Sequence, residues 1–253
     1  MKGAGRVHTG KVHIGTSGWN YQHWKGIFYP EGLKSKDWLE FYSKRFSTVE
    51  INYSFYKLPD KESFENWRES VSGSFIFTAK ANRYLTHMKK LNEPAEALGK
   101  LLDRVAALKE RLGPVLFQFP PFWNINYERL SKFVSILPKV FRYSFEFRHP
   151  GWWRPEILEL LKNNNISFCI YEMPKLVTPK EITSDFVYMR FHGPDIPFKD
   201  HFDEEVLLPW ADSIVEWAGK GKEIFCYFNN DQYGFALQDA DILKKLLQDR
   251  EAV

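Results

Sequence analysis

Short apolar runs recur along the whole chain, at 12–16, 48–52, 75–80, 115–119, 143–148, 167–172, 186–192 and 223–229, each of strand length. Between most of them apolar residues return at three- and four-residue intervals, the helical period. The clearest case is 95–112, where Leu98, Leu101, Leu102, Val105, Leu108 and Leu112 share one face. Further helices are expected over 35–45, 63–71, 128–137, 155–163, 204–218 and 237–250. Eight strand-then-helix units in about 250 residues predict an α/β protein, a (β/α)8 TIM-like barrel with a closed parallel eight-stranded sheet. The connection 174–185 carries two prolines in twelve residues, so the helix between strands six and seven is expected to be reduced or missing. An open doubly wound sheet is the competing architecture. A flexible tail over 1–11 and a single barrel domain over 12–253 complete the expected organisation.

Strand parity separates two faces. In 143–148, Tyr143, Phe145 and Phe147 alternate with Ser144, Glu146 and Arg148. A parallel sheet covered by helices needs an apolar outer face, so the second set points inward. The same split sets Val49 and Ile51 against Glu50 and Asn52. It sets Phe77 and Ala79 against Thr78 and Lys80, Phe117 and Phe119 against Gln118, and Met189 and Phe191 against Arg190 and His192. The inner face turns polar toward the C-terminal strand ends, where barrel enzymes carry their sites.

Composition narrows the class. With 44% hydrophobic and 17% aromatic residues, the 253-residue chain can bury a sizeable core, which excludes a disordered protein. Phe75, Phe77, Phe117, Phe119, Phe145, Phe147, Phe191 and Phe228 are expected between sheet and helices. Trp19, Tyr21, Trp24, Tyr53, Tyr56, Trp123, Trp152 and Trp153 follow strand ends and are expected around the mouth. The loop 19–34 reads either as an apolar plug, the preferred reading, or as a stacking platform. A net charge of +3 is no nucleic-acid signature. Cys169 and Cys226 sit in apolar runs and read as buried reduced thiols, and His8, His13 and His23 as surface histidines. No window approaches the roughly 20 apolar residues of a membrane span, so a cytoplasmic protein without membrane contact is expected.

The strand ends carry ordered motifs: Gly15-Thr16-Ser17-Gly18-Trp19 with Tyr21 and Trp24, Glu50-Ile51-Asn52 with Phe55-Tyr56, Thr78-Ala79-Lys80, Thr86-His87, Gln118-Phe119-Pro120-Pro121, Glu146-Phe147-Arg148-His149, Arg190-Phe191-His192-Gly193 and Asn229-Asn230-Asp231. Over residues 12–245 this pattern resembles the YecE-like family, also called domain of unknown function 72. The resemblance implies a TIM-like barrel and implies no reaction, which leaves function to the residues.

Glu50, Glu146 and His192 are the candidates for proton transfer. Substrate contacts are expected from Lys80, Gln118, Arg148, His149, Arg190, Asn229, Asp231, Trp19, Tyr21 and Asn52, with Glu172 also placed at the mouth. Three cations from three strands favour a phosphate or carboxylate. Buried charges persist only when paired, so Glu146 with Arg148 or Arg190 reads equally as a structural ion pair. Asn230 and Asp231 read equally as turn or helix caps. Glu50, Glu146, His192 and Asp231 leave room for a single divalent ion, but no metal-binding spacing is present and no cofactor is evident. The expected function is an enzyme binding a small phosphate- or carboxylate-bearing molecule, acting by hydrolysis or isomerisation. A non-catalytic nucleic-acid-binding module and a two-carboxylate glycoside hydrolase are the alternatives, and the oligomeric state is left open.

Overall fold

The computed structural model describes residues 9–250, so His8 and most of the expected tail lie outside the described residues. All eight apolar runs form strands: β1 (Val12–Ser17), β2 (Thr48–Ile51), β3 (Ile76–Lys80), β4 (Leu112–Phe119), β5 (Tyr143–Phe147), β6 (Ser167–Phe168), β7 (Ile170–Met173), β8 (Leu176–Val177), β9 (Phe186–Phe191) and β10 (Glu223–Phe228). The sixth run is divided at Cys169 into β6 and β7, and β8 is an addition. The helices are α1 (Trp38–Ser43), α2 (Tyr53–Tyr56), α3 (Lys61–Glu69), α4 (Ala95–Val105), α5 (Tyr127–Ser135), α6 (Pro155–Asn163), α7 (Glu204–Gly219) and α8 (Phe235–Gln248). Side-chain caps start two of them: Asp60 accepts from the Ser63 amide and Asn126 from the Arg129 amide.

The expected closed, all-parallel eight-stranded barrel is not what forms. The strands make one open, curled, mixed sheet of ten in the order β6-β5-β4-β3-β2-β1-β10-β9-β7-β8. The last strand runs antiparallel, pairing Met173 with Leu176. Ser167 and Phe168 pair with β5, whereas Ile170 to Glu172 pair with β9. No ladder joins β6 to β9, and side-chain hydroxyls, two of them from the 174–185 connection, explain why. The Phe168 and Tyr171 amides donate to the hydroxyls of Thr183 (2.7 Å) and Thr178 (2.9 Å), and the Tyr188 amide donates to Ser167 Oγ (3.2 Å). Hydroxyls thus satisfy the amides that a continuous ladder would use. No helix forms over 174–185; β8 turns back on β7 instead.

The curl is read from contacts that cross the concave face. Thr48 on β2 meets the Tyr227 hydroxyl on β10 at 2.7 Å, and Thr78 on β3 meets that of Tyr188 on β9 at 3.0 Å. Gly15 permits the close approach of β1 and β2, since a Cβ there would lie 2.2 Å from the Thr48 carbonyl oxygen. The outward set forms a core running from Ile14 to Leu247, in which Phe77, Phe117, Phe145 and Phe147 are completely buried. A second cluster of Leu116, Cys169, Phe186, Tyr188, Phe225 and Tyr227 fills the concave side.

Four rings expected at the rim are buried, Trp19, Trp24, Trp123 and Trp152. Trp152 stacks on Phe147 and donates to the Trp123 carbonyl. Tyr29 donates to the Trp19 carbonyl and stacks on Trp38, so the 19–34 loop packs as an aromatic plug. His13 is also not a surface residue; it is buried, stacked on Phe225 and bonded to Glu223 at 2.9 Å.

Candidate functional site

Inward parity brings Glu50, Glu146 and Arg190 together from β2, β5 and β9, each 0% exposed. The Arg190 guanidinium bridges both carboxylates, Nη2 donating to Glu50 Oε1 at 2.7 Å and Nη1 to Glu146 Oε2 at 2.6 Å. The remaining carboxylate capacity is also used. Glu50 accepts from Ser17 Oγ (2.8 Å) and the Tyr188 hydroxyl (2.7 Å). Glu146 accepts from Gln118 Nε2 (2.7 Å) and from Arg148 Nε. Burial drives the Glu146 carboxyl upward, but Arg148 and Arg190 outweigh it and hold it well below the ordinary carboxylate range. The pairing tightens Arg190 in turn: burial lowers its affinity for a proton, and the two glutamates more than restore it.

Above this layer Arg148 lies 4.7 Å over the Tyr171 ring and reaches Met173 Sδ and His192 Nε2, both at 2.7 Å. Asn229 faces His192 Nδ1 at 3.1 Å with its amide nitrogen. A neutral imidazole accepts at one nitrogen only, so the proton sits on Nδ1 and the Asn229 amide is read with its oxygen toward it. Burial, then Arg148 and Arg190, push the His192 imidazole well below its usual value. This ring is a neutral acceptor holding Arg148.

Lys80, at the end of β3, is the exception. It is 7% exposed, and its Nζ has no hydrogen-bond or ion-pair partner among the described residues, resting 4.3 Å over the Phe55 ring. Burial first, then Arg190, lowers its ammonium to about 7. His87 stands edge-on to the same ring and contacts Thr86 Oγ1 at 2.9 Å. Burial and Lys80 bring this histidine down to about 4.

Gln118, Arg148, Asn229 and Lys80 therefore join the candidate acids in one constellation, and other expected site residues stand apart. Asp231 meets His23 across two loops at 3.5 Å. His149 accepts from the Gly151 amide and caps a turn. Glu172 points to the helix side, where Trp210 of α7 donates to it at 2.5 Å, so it is not part of the mouth. Trp19, Tyr21 and Asn52 line a neighbouring cleft of about 690 Å³ with Tyr53, Tyr56 and Trp67. Gly18, at φ +98°, turns the chain there so that the Ser17 carbonyl accepts from Tyr21 (2.5 Å) and Asn52 (3.2 Å). A cleft of about 740 Å³ between Tyr56 and Arg104 shares only Tyr56 with it and touches no member of the ionic cluster.

Sequence reasoning missed Ser17, Tyr171 and Tyr188 as site residues, although each shares the inward parity of its strand. It also missed the roles of Phe55 and His87, which lie after strand ends and carry no periodic signal. Among the described residues no group of three or more His, Cys, Asp or Glu is placed to hold a metal ion. The carboxylates of Glu50 and Glu146 already accept from Arg190 and from four other side chains, so they do not fit a cation.

Fold and site together define an α/β protein whose curled sheet buries an ionic cluster at the C-terminal strand ends. The family model described as "Protein of unknown function DUF72" matches residues 13–253, and the chain belongs to that family. It is 23% identical to UPF0759 protein YunF of Bacillus subtilis over 93% of this chain and 94% of that protein. It is 31% identical to UPF0759 protein YecE of Escherichia coli K12 over 56% of this chain and 50% of that one. The crystal structure of a DUF72 family protein from Thermotoga maritima aligns with a TM-score of 0.85 and 32% identity, over 94% of this chain and 99% of that one. A DUF72 family protein from Enterococcus faecalis aligns at 0.80 with 20% identity, over 94% and 95%, a likeness of fold. No helix among the described residues is long and apolar enough to cross a membrane.

Proposed function

We propose that the protein is an enzyme that binds a small phosphate- or carboxylate-bearing molecule at the C-terminal strand ends and acts on it by hydrolysis or isomerisation. One observation carries this reading. The mouth holds Lys80, Arg148 and Arg190 against Glu50 and Glu146, and the unmatched cation is Lys80. An anion above the Phe55 ring supplies the missing charge, and Arg148, 10% exposed at its side chain, flanks it. Thermal-shift titration with inorganic phosphate and glycolate tests the reading. Both should raise the melting temperature of wild type, more at pH 6 than at pH 8.5, and leave Lys80→Met unmoved. No stabilisation, or equal stabilisation of Lys80→Met, overturns it.

The glycosidase alternative loses support, because the Arg190 guanidinium occupies the space between the two carboxylates and Glu146 is held ionised, unlike a general acid. A nucleic-acid-binding role draws on exposed Tyr56 and Tyr84 with Arg83 and Lys89 beside their rings. Binding to short single strands that falls steeply with salt would favour it. Buried free thiols at Cys169 and Cys226 support a reducing compartment, the cytoplasm. The continuous core from Ile14 to Leu247 supports a single domain over 12–253.

A further inference from the structure

We propose that Lys80 is a nucleophile, and that the molecule it binds carries an aldehyde or ketone beside its anionic group, forming an imine with the Lys80 Nζ. The inference deepens the anion-site reading and rests on it.

Three features of position support the step. The Lys80 backbone is held on both sides, its carbonyl accepting from Ser54 Oγ at 2.6 Å while the next amide, of Ala81, donates to the Leu116 carbonyl at 2.8 Å. The amine is therefore presented from a rigid strand end rather than from a loop. Its Nζ is buried against an apolar ring and engages no acceptor among the described residues, so no ion pair has to break before it reacts. Unlike Arg190, which is 0% exposed, Lys80 keeps 7% of its surface accessible. Desolvation beside other cations is how an amine is kept unprotonated near neutral pH, and the fall to about 7 follows from that placement. The Arg190 guanidinium in the same cluster is by contrast clasped by Glu50 and Glu146.

The step balances without an oxidant or reductant. The Nζ lone pair attacks the carbonyl carbon, a C–N bond forms, and the carbonyl π pair moves to oxygen, which takes up a proton from solvent water. The nitrogen gives a proton to His87 or to water, leaving a carbinolamine. The hydroxyl then departs as water with a proton returned to it, and the nitrogen lone pair closes the C=N bond. Water is the chief carrier of the proton that the nitrogen gives up; His87 stands at the same Phe55 ring with Nδ1 engaged by Thr86, and at about 4 it holds a proton only in passing. A protonated imine keeps the positive charge of Lys80, and the anionic group of the ligand balances it.

Glyoxylate with cyanoborohydride, followed by peptide mass mapping of the full chain, reads the step directly. At pH 7 we expect Lys80 to be alkylated about tenfold faster than exposed Lys36 and Lys162, and inorganic phosphate to protect it. Labelling of wild type with trace acetic anhydride across pH needs no variant, and the Lys80 midpoint should fall near 7. Alkylation of Lys80 no faster than Lys36 overturns the imine. If phosphate and glycolate still stabilise the protein, the anion site survives that failure; if they do not, both readings fall. Lys80→Arg, checked for folding by thermal melt, should lose the modified peptide and keep the background at other lysines.

Discussion

The inner face of the sheet has two halves built on the same strands, and their chemistry differs sharply. Toward the N-terminal strand ends Phe186, Tyr188, Phe225 and Tyr227 pack with Leu116, and the charges there, Arg142 and Glu223, pair with each other at the partly exposed edge of this layer. Two residues further along β9, Tyr188 gives way to Arg190, and the interior becomes Glu50, Glu146, Arg148 and Arg190. The ring layer gains mainly from burial, with the Tyr188 and Tyr227 hydroxyls bonded to Thr78 and Thr48. The ionic layer must overcome the cost of desolvating its charges, and a well-packed apolar layer would often be at least as stable. A fold that needed only a core could continue the rings upward, and this is the reason we propose the site among the ions.

Breaking the ionic layer should give the largest effect. Arg190→Met leaves two buried carboxylates without their shared partner and should cost about 3–5 kcal/mol in urea unfolding. A cost below about 1 kcal/mol would mean that the layer is not an interdependent unit. The acid limb follows from Glu146. Its folded carboxyl is held well below the unfolded value, so the stability it contributes is complete above that unfolded value and is lost as pH falls through the folded one. Glu146→Gln should flatten that limb of the stability profile.

Tyr188 joins the halves, its hydroxyl donating to Glu50 at 2.7 Å and meeting Thr78 Oγ1 at 3.0 Å. Tyr188→Phe should cost about 1.5–3 kcal/mol if the bond to the charged partner dominates, and nearer 1 if the ring layer alone matters. Lys80 shifts stability in the same pH direction but as a cost of its charged form. Its folded pKa of about 7 lies below its unfolded value, so the unfolded chain binds more protons between roughly pH 7 and 10.4 and stability rises with pH across that window. Lys80→Met should remove this rise and stabilise the protein below pH 7. Smallest of all, Tyr56→Ala at the exposed rim should change stability by less than about 0.5 kcal/mol, while weakening any ligand that stacks in the adjoining cleft.

Much of this arrangement is legible along the chain. Period-2 alternation separates Phe145 and Phe147 from Glu146, and Phe191 from Arg190, because a sheet covered by helices leaves only one face for charge. The same rule misplaced Glu172, since parity around a divided strand is ambiguous; it lies outward against Trp210, and Tyr171 takes the inward place. The rings of Trp24, Trp123 and Trp152 follow strand ends, which suggested a rim, yet each closes over the core because its loop folds back.

The chain by itself determined the strand-and-helix alternation, the apolar outer layer and the convergence of Glu50, Glu146, Arg148 and Arg190, since all of these follow from local periodicity. Only the tertiary structure decided that the sheet stays open at Cys169, because the hydroxyls of Thr183 and Thr178 capture one amide on each side of it, Phe168 of β6 and Tyr171 of β7. It alone decided which cation lacks a partner. Arg190 and Lys80 are equivalent in sequence, each inward and near a strand end, and their difference rests on whether a carboxylate from another strand comes within about 3 Å, a long-range distance that no local pattern encodes.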